Sequence, residues 1–225
     1  MLGVRPDKIE LLLGDKSLAR QIDAIIFDMG HVFVDFEWEQ VTQLFLDRSG
    51  LSASQFGEIL KKISDLGYEK GHLDTDKLIV HINETMQAHN PAFEALTRDE
   101  FETIWNHTFR ENEEMSAILS DLRKQIPLFL LSNTNESHWE YLARKHDVGR
   151  HFEHLVLSYE IKMIKPDRDI YEHAVQKTGF SADRCLFVDD LPANIEGAAA
   201  VGLKTILFKG PADLKVRLRA LGLDI

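Results

Sequence analysis

Four short, unbroken apolar runs, each stopped by a polar or charged residue, limit the folds open to this chain. They lie at 24–27, 128–131, 186–188 and 205–208, with a weaker fifth at 155–157. Half-exposed strands alternate apolar and polar residues. Continuous runs of this length suit strands covered on both faces, as in a parallel sheet. Helical spacing fills the gaps between the later runs: 170–177 precedes the third, and 194–201 follows it, with Gly202 placed to end the helix. Strands and helices in alternation build right-handed βαβ units, so the fold class is α/β.

The stretch 37–110 departs from that alternation. Val41, Leu44 and Phe45, then Ile59, Leu60 and Ile63, then Leu78, Ile79 and Ile82, then Phe101, Ile104 and Trp105 recur at helical spacing. Breaks fall near Ser49-Gly50, across 67–75 and at Asn90-Pro91. This predicts about four helices and no strand, inserted after the first strand. The expected division is a core of 1–36 and 111–225 and an all-helical domain of 37–110. The first 20 residues read as a helix or arm packed on the core. Trp38, Trp105 and Trp139 read as packing residues rather than binding platforms.

Against 26 Lys and Arg stand 37 Asp and Glu, a formal charge of -11. Such a surface repels phosphate backbones and anionic lipids, which argues against nucleic acid or a membrane as partner. A local metal and a lysine can still reverse the sign of one pocket. Cys185 is the only cysteine and sits in an apolar run, so a buried thiol is expected and an intrachain disulfide is excluded. The N-terminal stretch lacks a signal-like apolar centre, and no run approaches ~18 apolar residues. The expectation is a cytoplasmic protein, monomeric or homodimeric.

Ligands of open α/β sheets bind outside the carboxyl ends of the strands, so the residues that stop each run matter most. Asp28, Met29, Gly30 and His31 follow the first run; Ser132, Asn133, Thr134 and Asn135 follow the second; Asp189 and Asp190 follow the third. Lys165, before Pro166, lies in a loop able to reach the same edge. Three carboxylates this close require a cation, or one of them must stay protonated. Mg²⁺ answers that need, because it takes oxygen ligands and substrate phosphate together. A carboxylate held beside it can attack phosphorus, with Ser132, backbone N–H groups and Lys165 holding the transferring oxygens.

These residues resemble the haloacid dehalogenase-like hydrolases. The resemblance is carried by Phe27-Asp28-Met29-Gly30, Leu131-Ser132-Asn133-Thr134, Lys165-Pro166-Asp167, and Val188-Asp189-Asp190 with Asn194. The gaps are 104, 33 and 24 residues, counted from Asp28 through Ser132 and Lys165 to Asp189. Each motif is weak alone; the ordered set covers roughly 20–35 and 112–210 and is specific. The resemblance implies a Rossmann-like core with a helical cap, and a Mg²⁺-dependent phosphatase acting on a small phosphorylated metabolite. It implies Asp28 as the nucleophile that forms an aspartyl phosphate, and Ser132, Asn133 and Lys165 on the phosphoryl group. It implies Asp189 as a direct metal ligand, Asp190 as a ligand through water, and the Gly30 carbonyl as another.

One position departs from the family pattern. Phosphatases of this family usually carry a second Asp two residues after the nucleophile, where it serves as general acid and base. Here that position is Gly30. Asp28-Met29-Gly30-His31-Val32 resembles a subgroup with Asp-x-Gly-Asn-Val that includes sugar-1-phosphate phosphatases, with His31 in place of Asn. Anomeric or acyl phosphates, which leave easily, are therefore candidate substrates. The alternatives are a substitute acid, either His31 or His72 from the turn Glu69-Lys70-Gly71-His72, and slow turnover. The competing readings are a metal-independent 2-haloacid dehalogenase, which also lacks the second Asp, and a degenerate binding protein.

Overall fold

The structure, a computed structural model, describes residues 21–225; the arm expected over the first 20 residues lies outside them. In chain order, β1 (Ala24–Phe27) and β2 (Val34–Asp35) are followed by α1 (Trp38–Ser49), α2 (Ala53–Asp65), a 3-10 turn (Tyr68–Lys70), α3 (Thr75–His89) and α4 (Arg98–Trp105). Then come β3 (Arg110–Glu111), α5 (Glu113–Leu122), β4 (Leu128–Ser132), α6 (Glu136–His146), β5 (His154–Leu157) and α7 (Ser158–Ile161). The chain ends with α8 (Arg168–Thr178), β6 (Cys185–Asp189), α9 (Pro192–Ala200), β7 (Lys204–Leu207) and α10 (Pro211–Ala220).

Five strands form one parallel sheet in the order β5-β4-β1-β6-β7. The unbroken apolar runs have the meaning expected of them, because both faces of the sheet are covered. Ile25, Phe27, Leu128, Leu130 and Val188 pack under α5, α6 and α10, while Ala24, Ile26, Phe129, Leu131, Cys185 and Phe187 pack under α8 and α9. The chain runs outward from β1 to β4 and β5, then returns to the other side of β1 for β6 and β7. That reversal leaves a crevice at the carboxyl end of the central strand, where the motif residues emerge.

Helix α9 ends as its sequence predicts. Gly202 has φ +92, its N–H donates to the Ala199 carbonyl, and the Leu203 N–H donates to the Ala198 carbonyl. This is the left-handed glycine closure that satisfies the last carbonyls of a helix. The last strand begins at Lys204, one residue earlier than expected.

The insert contains the four helices expected, α1 to α4, and they bury a core of their own around Phe45, Phe56, Ile59, Leu78, Ile82 and Phe101. Capping boxes at Ser52 with Gln55 and at Thr97 with Glu100 start α2 and α4. The expectation of no strand across 37–110 needs one correction: Arg110 begins β3, which pairs antiparallel with β2. Two-residue strands carry no periodic signal, so this ribbon at the root of the insert is invisible to pattern reading. Among the described residues no helix is long and apolar enough to cross a membrane.

Insert and sheet meet along a defined seam. The Ser158 hydroxyl donates to the Glu69 carbonyl at 2.6 Å. The Thr75 N–H and hydroxyl both donate to Glu136, at 3.0 and 2.5 Å. A methyl group on Gly71, whose φ is +63, would lie 1.9 Å from the Tyr159 carbonyl oxygen, so only glycine permits this approach. Gly179 has a similar φ of +75 with open space around it. Gly179→Ala should therefore cost only backbone strain, about 1–2 kcal/mol. Gly71→Ala should cost clearly more in urea unfolding; equal losses would show that the seam yields freely.

Candidate active site

Four side chains from three segments of the chain converge at the crevice. Asp28 follows β1, and its N–H donates to the Val188 carbonyl at 2.9 Å, which fixes the end of β1 against β6. Lys165 comes from the loop before α8, and its ammonium donates to Asp28 Oδ1 at 2.6 Å and to Asp189 Oδ2 at 2.8 Å. All three residues are buried: Asp28 is 7% exposed, Lys165 4% and Asp189 0%. Asp190 is the fourth, half-buried on the cavity wall.

Each member is held by neighbours. Asn133 clamps the lysine loop from both sides, since its amide donates to the Lys165 carbonyl and its oxygen accepts from the Lys165 N–H. Its side chain thus holds Lys165, while the residue also lines the cavity. Asp189 accepts from the Leu191 N–H at 2.8 Å and from the Asn194 amide at 3.0 Å. Asn194 in turn is seated by Tyr171, whose hydroxyl donates to the Asn194 carbonyl. Helix α9 comes close enough for this because Gly197 has no side chain: a methyl there would sit 2.8 Å from the Pro166 carbonyl oxygen. Ser132 ends β4 and lines the cavity.

The charges explain what the site can hold. Oxygen atoms of Asp28, Asp189 and Asp190 all lie within 4.8 Å of one another. One ammonium against three carboxylates leaves two negative charges, which matches one divalent cation. Without it, burial and the neighbouring Asp189 push the Asp28 carboxyl up to about 6, against the pull of Lys165. Asp190 is raised as well, by burial and then by Asp189. The Lys165 ammonium loses by burial but gains more from Asp28 and Asp189, and its pKa is raised. This donor set of carboxylates with the adjacent Gly30 backbone fits a hard, oxygen-seeking ion such as Mg²⁺. Of the two neighbouring aspartates, Asp190 lines the cavity, and both Asp189 oxygens accept hydrogen bonds from Asn194, one of them also from Lys165.

The cavity has a volume of about 530 Å³ and is roofed by the insert. At Gly30 a side chain would begin 3.3 Å from the Phe36 ring, so the place of the absent second carboxylate is partly filled by an aromatic edge. His31, with φ +53, stacks on Phe36 at 4.2 Å and lines the cavity. His72 does not reach it; its ring packs on Gly67 and lines a separate hollow with Asp74 and Glu136. From the same turn, Glu69 faces the cavity instead. Burial raises its carboxyl pKa, and Lys165 opposes the rise. The sequence offers His31 and His72 as substitute acids; of the turn that carries His72, it is Glu69 that lines the cavity. Trp38 and Trp105, expected only to pack, also line the cavity, and Trp139 packs on the sheet core.

A cation bound by Asp28 competes with a proton for the same oxygens. Mg²⁺ affinity should therefore weaken as pH falls below about 6, by up to roughly tenfold per pH unit. Titration calorimetry from pH 7.5 to pH 5 measures this, and a pH-independent affinity would remove Asp28 from the ligand set.

Comparison with known proteins agrees with the geometry. The chain matches the haloacid dehalogenase-like hydrolase family over residues 22–202. It is 27% identical to a D-ribitol-5-phosphate phosphatase of Bacteroides thetaiotaomicron, over 88% of this chain and 97% of that protein. It is 25% identical to a sesquiterpene phosphatase of Aspergillus oryzae, over 80% of this chain and 86% of that protein. A solved magnesium complex of a family enzyme from Bacteroides thetaiotaomicron superposes with a TM-score of 0.77 at 24% identity, covering 89% of this chain and all of the other, 100%. With the family matched across the sheet, the insert and the four converging side chains, this chain belongs to the haloacid dehalogenase-like hydrolases and is a hydrolase.

Proposed function

We propose that this protein is a Mg²⁺-dependent phosphatase that hydrolyses a small phosphate monoester through an aspartyl phosphate on Asp28. The observation that carries the reading is the Asp28–Lys165–Asp189 cluster at the carboxyl edge of the sheet, with two negative charges left for a metal. Relatives that act on phosphate esters, and a structural neighbour solved as a magnesium complex, support it. Asp28, the Gly30 carbonyl, Asp189 and Asp190 would hold Mg²⁺, which would offset the repulsion between these carboxylates and an incoming phosphate. A metal-free dehalogenase has no use for Asp190 beside Asp28 and Asp189, so that alternative is weaker.

The chain's own residues account for the steps. Lys165 fixes Asp28 with one oxygen toward the ester, and together with Ser132 and Asn133 it receives the phosphoryl oxygens. Asp28 attacks phosphorus; the bond from phosphorus to the ester oxygen breaks, and that oxygen takes a proton. With Gly30 unable to supply it, the proton comes from Glu69, the cavity carboxyl with no metal role. Glu69, then a carboxylate, takes a proton from the water that attacks the aspartyl phosphate, releasing phosphate and restoring Asp28. Residues 37–110 act as a cap over the sheet domain, and the Ser158 contact holds the backbone of Glu69 against it. The glycine at position 30 suits a sugar 1-phosphate, whose anomeric oxygen leaves readily; with Glu69 as donor it suits other esters equally.

Phosphate release from a panel of sugar phosphates, acyl phosphates, nucleotides and alkyl phosphates should require Mg²⁺ and should fall to background in Asp28→Asn. Release from Asp28→Asn at the native rate would overturn the reading. Glu69→Gln should lower kcat/KM on alkyl esters by ~10²–10⁴-fold and on acetyl phosphate far less, since the acyl leaving group needs no proton. An acid acts while protonated, so native kcat/KM should decline as pH rises through the raised Glu69 pKa. Glu69→Gln should lack that decline; an unchanged pH profile would exclude Glu69 as the donor.

A further inference from the structure

The upper part of the cavity is built of carbon. From His31 beside the nucleophile, ring contacts run through Phe36, Phe109, His138 and Trp105 to Trp38. The centroid separations along this path, 4.2, 5.5, 4.7, 5.3 and 5.1 Å, leave no gap in the wall. Leu60 and Ile63 of α2 line the same cavity.

Several polar atoms around this wall already have partners. The Tyr68 hydroxyl lies 2.9 Å from Thr75 Oγ1; that oxygen gives its own proton to Glu136, so Tyr68 is the donor. His138 Nδ1 accepts from the Asn135 amide, and burial pushes its pKa down to about 3, so the ring is neutral. Trp105 Nε1 and His138 Nε2 are buried without a hydrogen-bond partner among the described residues, two ring nitrogens of the wall left to meet a ligand. Lys70 pairs with Asp167 at 3.7 Å. Among the described residues, the insert contributes no Asn, Gln or Arg to the cavity, and Ser64 is its one aliphatic hydroxyl there. The polar side chains that receive phosphate come from the strand ends below.

We infer that the substrate is the phosphate monoester of an apolar alcohol, alkyl, prenyl or aryl, with the phosphate on the sheet edge and the carbon skeleton against the aromatic wall. This rests on the phosphatase reading above and names the leaving group for that same site. A polyol ester would bring several hydroxyls to a wall with few partners for them, and one such mismatch in an apolar pocket costs on the order of 100-fold in kcat/KM. An added methylene, by contrast, gains roughly fourfold when it is buried from water.

The test is kcat/KM, with Mg²⁺, for n-alkyl phosphates from ethyl to decyl alongside glycerol, ribitol and glucose phosphates and acetyl phosphate. The expected result is a rise of roughly threefold to fourfold per methylene until the cavity is filled. Octyl phosphate should exceed every polyol phosphate by about 100-fold or more. Leu60→Gln, at a half-buried position that tolerates polarity, should lower the octyl-to-ethyl ratio at least about tenfold. A flat or falling series, polyol esters ahead of alkyl esters, or an unchanged ratio in Leu60→Gln would overturn the inference and leave the phosphatase reading intact. Failure to release phosphate from any of these compounds, acetyl phosphate included, would overturn both.

Discussion

The buried ammonium of Lys165 between Asp28 and Asp189 is the interaction on which the rest of the site depends. A charge taken from water into this crevice is tolerable only with close partners, and Lys165 has two within 2.8 Å. Removing one partner from such a cluster typically costs about 3–5 kcal/mol, because the remaining charges stay buried. Much of the surrounding architecture serves this contact. Asn133 holds the lysine loop, Asn194 and the Leu191 N–H hold Asp189, and Gly197 lets α9 approach the Pro166 loop. The same cluster is left short of positive charge, and that shortage underlies the proposal of a divalent cation there.

The sheet edge and the insert divide the work by chemistry. The edge gathers carboxylates, an ammonium and a hydroxyl from strand ends whose positions are fixed by the parallel register. The insert contributes aromatic and aliphatic surface, plus one carboxyl, Glu69, on a turn pinned by Ser158 and by the close approach of Gly71 to Tyr159. Such a roof excludes water from the reacting atoms and strengthens each electrostatic contact beneath it. Under the proposed mechanism this roof also supplies the proton that Gly30 cannot, from Glu69.

The core was legible because its signals are local and dense. The run at 24–27 is β1 itself, the run at 128–131 grows by one residue into Ser132, and both lie between two helical layers as their lack of alternation predicts. The helical content of 37–110 was equally plain from its spacing. The β2–β3 ribbon was not, since Val34–Asp35 and Arg110–Glu111 are too short to show a period and pair across the whole insert. Glu69 was missed for another reason. Its neighbours suggest a solvated turn, and only the folding of that turn against α7 aims it inward.

By itself the sequence determined the sheet, the helical insert, the family and the candidate residues for phosphoryl chemistry. Each is encoded by residue type at a fixed place along the chain: apolar runs, helical spacing, and carboxylates directly after strands. Only the tertiary structure decided which side chains share a cavity. It put Lys165 between two aspartates far away in sequence, set Glu69 rather than His72 on the cavity, and assembled one apolar wall from α1, α2, α4, α6 and the loops at the sheet edge. Those outcomes follow from packing between distant segments, where burial and the need to pair every buried charge act on the whole fold at once.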